Sequence, residues 1–81
     1  MGMLRIVSCR GDDRRLWNTE DALAGDAEAL AALREVERIF ARERARGATA
    51  FRVEEGRPAE RVEQFDPQAH QIILVPRVVG G

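Results

Sequence analysis

Cys9, His70, the acid pairs Glu54-Glu55 and Glu60/Glu63, and the closing Gly80-Gly81 are the positions in this chain whose types could do chemistry. Cys9 could act as a thiolate nucleophile, but only Arg10 stands beside it as a cation, and a small core residue in a strand is the commoner role for such a cysteine. His70 shares no local motif with a Ser or Cys nucleophile, so it reads as a surface residue where a loop enters a strand. The acid pairs sit in a chain with 33% charged residues, where neighbouring carboxylates are ordinary. No phosphate-binding or dinucleotide-binding glycine pattern occurs. These residues form no catalytic constellation, and the expectation is a protein that is not itself an enzyme.

Composition narrows the partners. A single Cys and a single His exclude an internal disulfide and leave no recognisable spacing for a metal site. A net charge of −1 argues against general nucleic-acid binding, which needs a basic surplus or a basic face, and one Trp with no Tyr offers few stacking platforms. The longest apolar run, residues 72–75, is far too short to cross a bilayer, and no signal segment opens the chain. Met1-Gly2 superficially fits a myristoylation start, but Ile6 stands where Ser or Thr is required. The expectation is a cytoplasmic protein, monomeric when free, with no membrane partner. All 13 basic residues are Arg, so no side chain offers an ε-amine.

The elements that must position these residues follow from periodicity. Residues 3–9 (MLRIVSC) are rich in β-branched types, with Leu4 and Ile6 on one face of a predicted strand. Arg10-Gly11-Asp12-Asp13 reads as a turn, and residues 14–17 as a second, shorter strand. A helical turn is expected within residues 18–25. Asp26 then suits an N-cap for a long helix over 27–46, stopped by Gly47, with Ala29, Leu33, Val36 and Phe40 as its core arc. Arg34, Arg38 and Arg42 form a basic stripe on the opposite side, interspersed with Glu28, Glu35 and Glu43, which reads as a solvated face before it reads as a docking edge.

Beyond Gly47 the period becomes two: Thr49, Phe51 and Val53 point one way, Ala50, Arg52 and Glu54 the other. A loop at 55–58, a short strand at 61–65 and a turn at Asp66-Pro67 precede a last strand over 71–76. Four consecutive apolar residues mark that strand as interior, with Ile72 and Leu74 on one face and Ile73 and Val75 on the other. It belongs beside the first strand, parallel to it if the helix makes a right-handed crossover. One helix covers one face, so the class is two-layer α+β, and the uncovered face around Ile73 and Val75 is a candidate protein-docking surface. Pro76 ends the ladder. Residues 1–76 form the domain, and residues 77–81 an extended tail.

The element order, the Phe65-Asp66-Pro67 turn and the ending IILVPRVVGG over residues 72–81 resemble the ubiquitin-like, or β-grasp, superfamily. The ending is similar to those of bacterial sulfur carriers for molybdopterin and thiamine synthesis, and to bacterial ubiquitin-like modifiers with a free diglycine. The resemblance implies a mixed sheet with one long helix packed on one face, and a Gly81 carboxylate that an activating enzyme adenylates with ATP and Mg²⁺. Transfer to a thiol and then to a target follows in modifiers, with a conjugating enzyme and a deconjugating peptidase as further partners; no cofactor is bound by the protein itself. Sulfur carriers instead end in a thiocarboxylate. Gly80 and Gly81 suit either role because, lacking Cβ, they can thread a narrow channel and leave the carbonyl open to attack. Arg77, Val78 and Val79 fall where the family's tail meets its partner, Arg77 as a fixed cation. The long helix, the absence of the hairpin motif of the molybdopterin-synthase small subunit, and a tail without lysine favour modifier over carrier. A third reading is an interaction module that uses its sheet or its arginine stripe and leaves the tail inert.

Overall fold

The computed structural model describes residues 1–8 and 11–77. Two strands, β1 (Gly2–Ser8) and β2 (Gly11–Trp17), are followed by a short helix α1 (Thr19–Leu23) and a long helix α2 (Ala27–Ala45). Strands β3 (Thr49–Val53), β4 (Glu60–Val62) and β5 (Gln71–Val75) complete the fold. The five strands form one mixed sheet in the order β2-β1-β5-β3-β4. β5 lies at its centre, parallel to β1 and antiparallel to β3, as the apolar run and the crossover argument require.

Both helices start where a side-chain oxygen can receive an unpaired backbone donor. Asn18 accepts from the Asp21 N–H at 3.0 Å, and Asp26 from the Ala29 N–H at 3.0 Å. Helix α2 stops because Gly47 takes a φ of +97°, a left-handed conformation that lets the Gly47 and Ala48 N–H groups fold back onto the Arg44 and Glu43 carbonyls. Its buried arc contains Val36 and Phe40 as expected, with Leu33 packed beside them. Ile39 joins that arc. The expected set lacks it, although it neighbours Val36 at i+3.

The hairpin departs from expectation. Gly11, Asp12 and Asp13 belong to β2 rather than to a turn, and β2 equals β1 at seven residues. Ser8 pairs with Gly11, which leaves only Cys9 and Arg10 between the strands; both lie outside the described residues. Pairing outweighs the poor strand propensity of Asp here, because Asp12 accepts from Arg5 Nε at 2.6 Å across the ladder on an edge strand open to water. The predicted strand over 61–65 is likewise displaced to Glu60–Val62, and Phe65 sits in the loop just before the turn at 66–69. Phe65 is drawn there by the core: its ring lies 5.1 Å from Trp17 and 5.7 Å from Phe40. The last strand ends at Val75, one residue before Pro76, whose missing N–H cannot extend the ladder.

Helix α2 covers one face of the sheet, where Leu4, Ala50, Ile72 and Leu74 are fully buried with Trp17 and Ala69. Trp17 is held from several sides. Its ring lies against Gly2, where a Cβ would overlap the indole, and its Nε1–H donates to the Pro67 carbonyl at 3.0 Å. The Thr19 hydroxyl donates to the same carbonyl at 2.5 Å. These bonds tie the end of β2 and the start of α1 to the loop before β5, and so fix where β5 begins.

Candidate functional site

Because β5 is central and its residues alternate, Ile73 and Val75 emerge on the face that α2 does not cover. Register places Ile73 between Arg5 of β1 and Phe51 of β3, and Val75 beside Thr49. Val53, Met3 and Leu16 extend the same face, Leu16 being opposite Met3 and 58% exposed. Ile73, Phe51, Val53 and Met3 are half-buried, while Val75 is 38% exposed. Arg5 and Asp12 form an ion pair on this face, so the apolar strip has a polar margin on the β2 side. Ile73 and Val75 thus stand where expected. The strip is broader than expected: alternation gives Phe51 and Val53 a shared face, but nothing in the sequence pattern links Met3 and Leu16 to it.

The chain leaves the sheet at one end of this strip. Pro76 follows β5, and Arg77 lays its aliphatic stem over Gly47 at the end of α2, with its Cδ 3.1 Å from where a Cβ on Gly47 would stand. Gly47 is needed for its positive φ, and a Cβ there would also press on the Arg77 stem. A groove of about 370 Å³ opens beside this junction, lined by Ile6, Ala48 and Pro76 with Glu43, Arg46 and Arg77 at its margin. Val78, Val79, Gly80 and Gly81 lie outside the described residues.

The remaining candidates fall elsewhere. His70 is exposed at the opposite end of β5, where it borders an open cleft of about 460 Å³ with Met3, Val53, Glu54, Glu55 and Gln71. Glu60 is committed to Arg52 at 2.7 Å and Glu63 to Arg44, so these acids brace the β4 region. Arg52 also donates to Asp66 at 2.9 Å, and the two carboxylates hold its guanidinium above the ordinary arginine range. On α2, Arg38 donates twice to Glu35, at 3.0 and 2.6 Å, which pulls the Glu35 carboxyl below the usual carboxylate range. Arg42 lies 3.7 Å from Glu43, so two of the three stripe arginines are partly neutralised and the face behaves as a solvated one. No group of three or more potential metal ligands comes together among the described residues, and among them no helix is long and apolar enough to cross a membrane.

No protein-family model, no curated protein and no solved structure matches this chain.

Proposed function

We propose that this chain is a ubiquitin-like (β-grasp) protein modifier whose Gly81 carboxylate is activated by a partner enzyme and transferred to a target. The observation that carries the proposal is the strand order β2-β1-β5-β3-β4, with the parallel β1–β5 pair at its centre and one long helix on one face. That arrangement holds the last strand between two others, and Pro76 ends its ladder. Among the described residues the titratable groups are engaged in ion pairs or scattered on the surface, which supports a carboxylate used by someone else's active site.

In the proposed reaction a Gly81 carboxylate oxygen attacks the α-phosphorus of ATP, and pyrophosphate leaves. An enzyme thiol then attacks the acyl carbon, a C–S bond forms and AMP departs. A target nucleophile finally displaces the thiolate. The activating enzyme holds the ATP and Mg²⁺; a conjugating enzyme and a deconjugating peptidase complete the cycle, which belongs in the cytoplasm. Ile73 and Val75, with Phe51, supply the apolar surface on which such enzymes dock, and Arg77 supplies a cation at the root of the tail.

The test is intact mass spectrometry of the protein incubated with ATP and a lysate fraction from its source cells. An ATP-dependent acyl adduct that disappears on deletion of Gly81 is the expected result. Unchanged activity after that deletion sinks the proposal. A sulfur-for-oxygen exchange at the terminus instead identifies a sulfur carrier, and a complex that survives removal of residues 77–81 identifies an interaction module.

A further inference from the structure

The 13 basic side chains of this protein are all guanidinium groups. The structure separates them by what they hold. Arg5, Arg38, Arg44 and Arg52 each place two donors on carboxylate or carbonyl acceptors, and Arg52 spans Glu60 and Asp66. A planar fork makes such paired contacts with fixed, pre-organised geometry, which a point-charge ammonium lacks, so geometry favours arginine at those positions. Arg34, Arg46, Arg57 and Arg77 are different: all are exposed, and none forms an ion pair among the described residues. As surface cations, lysines would serve equally well there. Whatever the origin of the all-arginine composition, which GC-rich codon usage also produces, its chemical consequence at these positions is a loss of nucleophilicity.

An activated acyl group is consumed by whichever unprotonated nitrogen meets it. A lysine exposes a neutral amine on the order of a thousandfold more often than an arginine, whose guanidinium is effectively always protonated. Copies of the donor gathered around one activating enzyme also present their own side chains at high effective concentration. The two threonine hydroxyls offer little competition: Thr19 is buried with its hydroxyl bound to the Pro67 carbonyl, and Thr49 is half-buried beside Val75.

We infer that the side chains of this protein do not accept its own acyl group: activated Gly81 is passed to an amine of another protein, and a conjugated copy is not extended through its side chains. The inference rests on the proposed conjugation through Gly81. In the transfer the acceptor nitrogen forms a C–N bond to the Gly81 carbonyl carbon, the C–S bond to the carrier thiol breaks, the thiolate leaves with the electron pair, and the amine proton passes to solvent.

The test uses the full chain prepared as a Gly81 α-thioester by intein cleavage, so it does not depend on finding the activating enzyme. Wild type, Arg34→Lys and Arg57→Lys are incubated with their thioesters intact, and Nα-acetyl-lysine capture in parallel reports that each thioester is live. Dimers that survive reducing agent are counted and their linkages mapped by tandem mass spectrometry. The expected result is no side-chain-linked dimer from wild type. Each variant should instead give dimers in which Gly81 is joined by an isopeptide bond to the introduced amine, at least about tenfold above the wild-type background, given the ~10³ difference in neutral nitrogen. A wild-type dimer linked through any side chain overturns the inference. So does failure of both variants to dimerise while Nα-acetyl-lysine is captured. Failure of the conjugation reading shows separately, as the absence of any ATP-dependent adduct.

Discussion

On the helix side of the sheet, Leu4, Ala50, Ile72 and Leu74 are fully buried; on the other side Ile73 and Phe51 are half-buried and Val75 is 38% exposed. Successive residues of β3 and of β5 fall in opposite sets, so β5 contributes equally apolar side chains to a dry face and to an open one. Burying a Leu or Ile side chain completely contributes about 1.5–3 kcal/mol, and α2 delivers that gain on one side only. The apolar strip left on the other side is a candidate for use in binding, since it adds less to stability and exposes Leu16 and Val75.

Four substitutions break or sharpen that comparison. Leu74→Ala empties space between the sheet and α2 and is expected to cost about 2–5 kcal/mol by denaturant unfolding. A loss near that of an exposed position would mean that the helix side is not the core. Gly2→Ala probes the same face by crowding: the new methyl drives Trp17 off the backbone of β1 and lengthens its bond to Pro67. About 1–3 kcal/mol is the expected cost, with a change in Trp17 fluorescence, the chain having one tryptophan. Val75→Asn on the open face is expected to cost about 1 kcal/mol, through strand propensity and partial burial, while weakening capture by partner enzymes; a loss as large as that of Leu74→Ala would place Val75 in the core instead. Glu35→Gln, on the solvent side of α2, tests the smallest effect. The Arg38 hydrogen bonds depress the folded pKa of Glu35, so its contribution is present above the unfolded carboxylate value and is lost as pH falls through the folded one. The variant should show a slightly flatter acid side in its stability–pH profile, and no difference from wild type at low pH.

Local signals in the chain are strong where chemistry and geometry are both local. Asp26 and Gly47 bound the long helix because capping and positive φ involve a few neighbouring residues. The run at 72–75 announces a strand buried between two others, and Pro76 marks its end. The hairpin is misleading in sequence because Asp12 and Asp13 have turn propensity in isolation, and only the pairing with β1 makes them strand residues. Phe65 reads as a strand residue because an apolar side chain there fits either environment; the Trp17 and Phe40 rings decide that it joins the core from a loop. Of the candidate site, Ile73 and Val75 can be read from alternation, whereas the strip they form with Phe51, Val53, Met3 and Leu16 requires the register of four strands.

The sequence by itself determined the class of fold, the boundaries of α2, the central place of the last strand, and a cation chemistry confined to guanidinium groups. These depend on residue type and short spacing. Tertiary structure alone decided that Gly2 seats Trp17, that Gly47 also makes room for Arg77, and that Phe51, Val53, Ile73 and Val75 share the open face with Arg5 and Gln71 beside them. The physical reason is range: capping and periodicity act within a turn or two of helix or strand, while these contacts join residues far apart in the chain, and their positions depend on how the whole sheet closes over its helix.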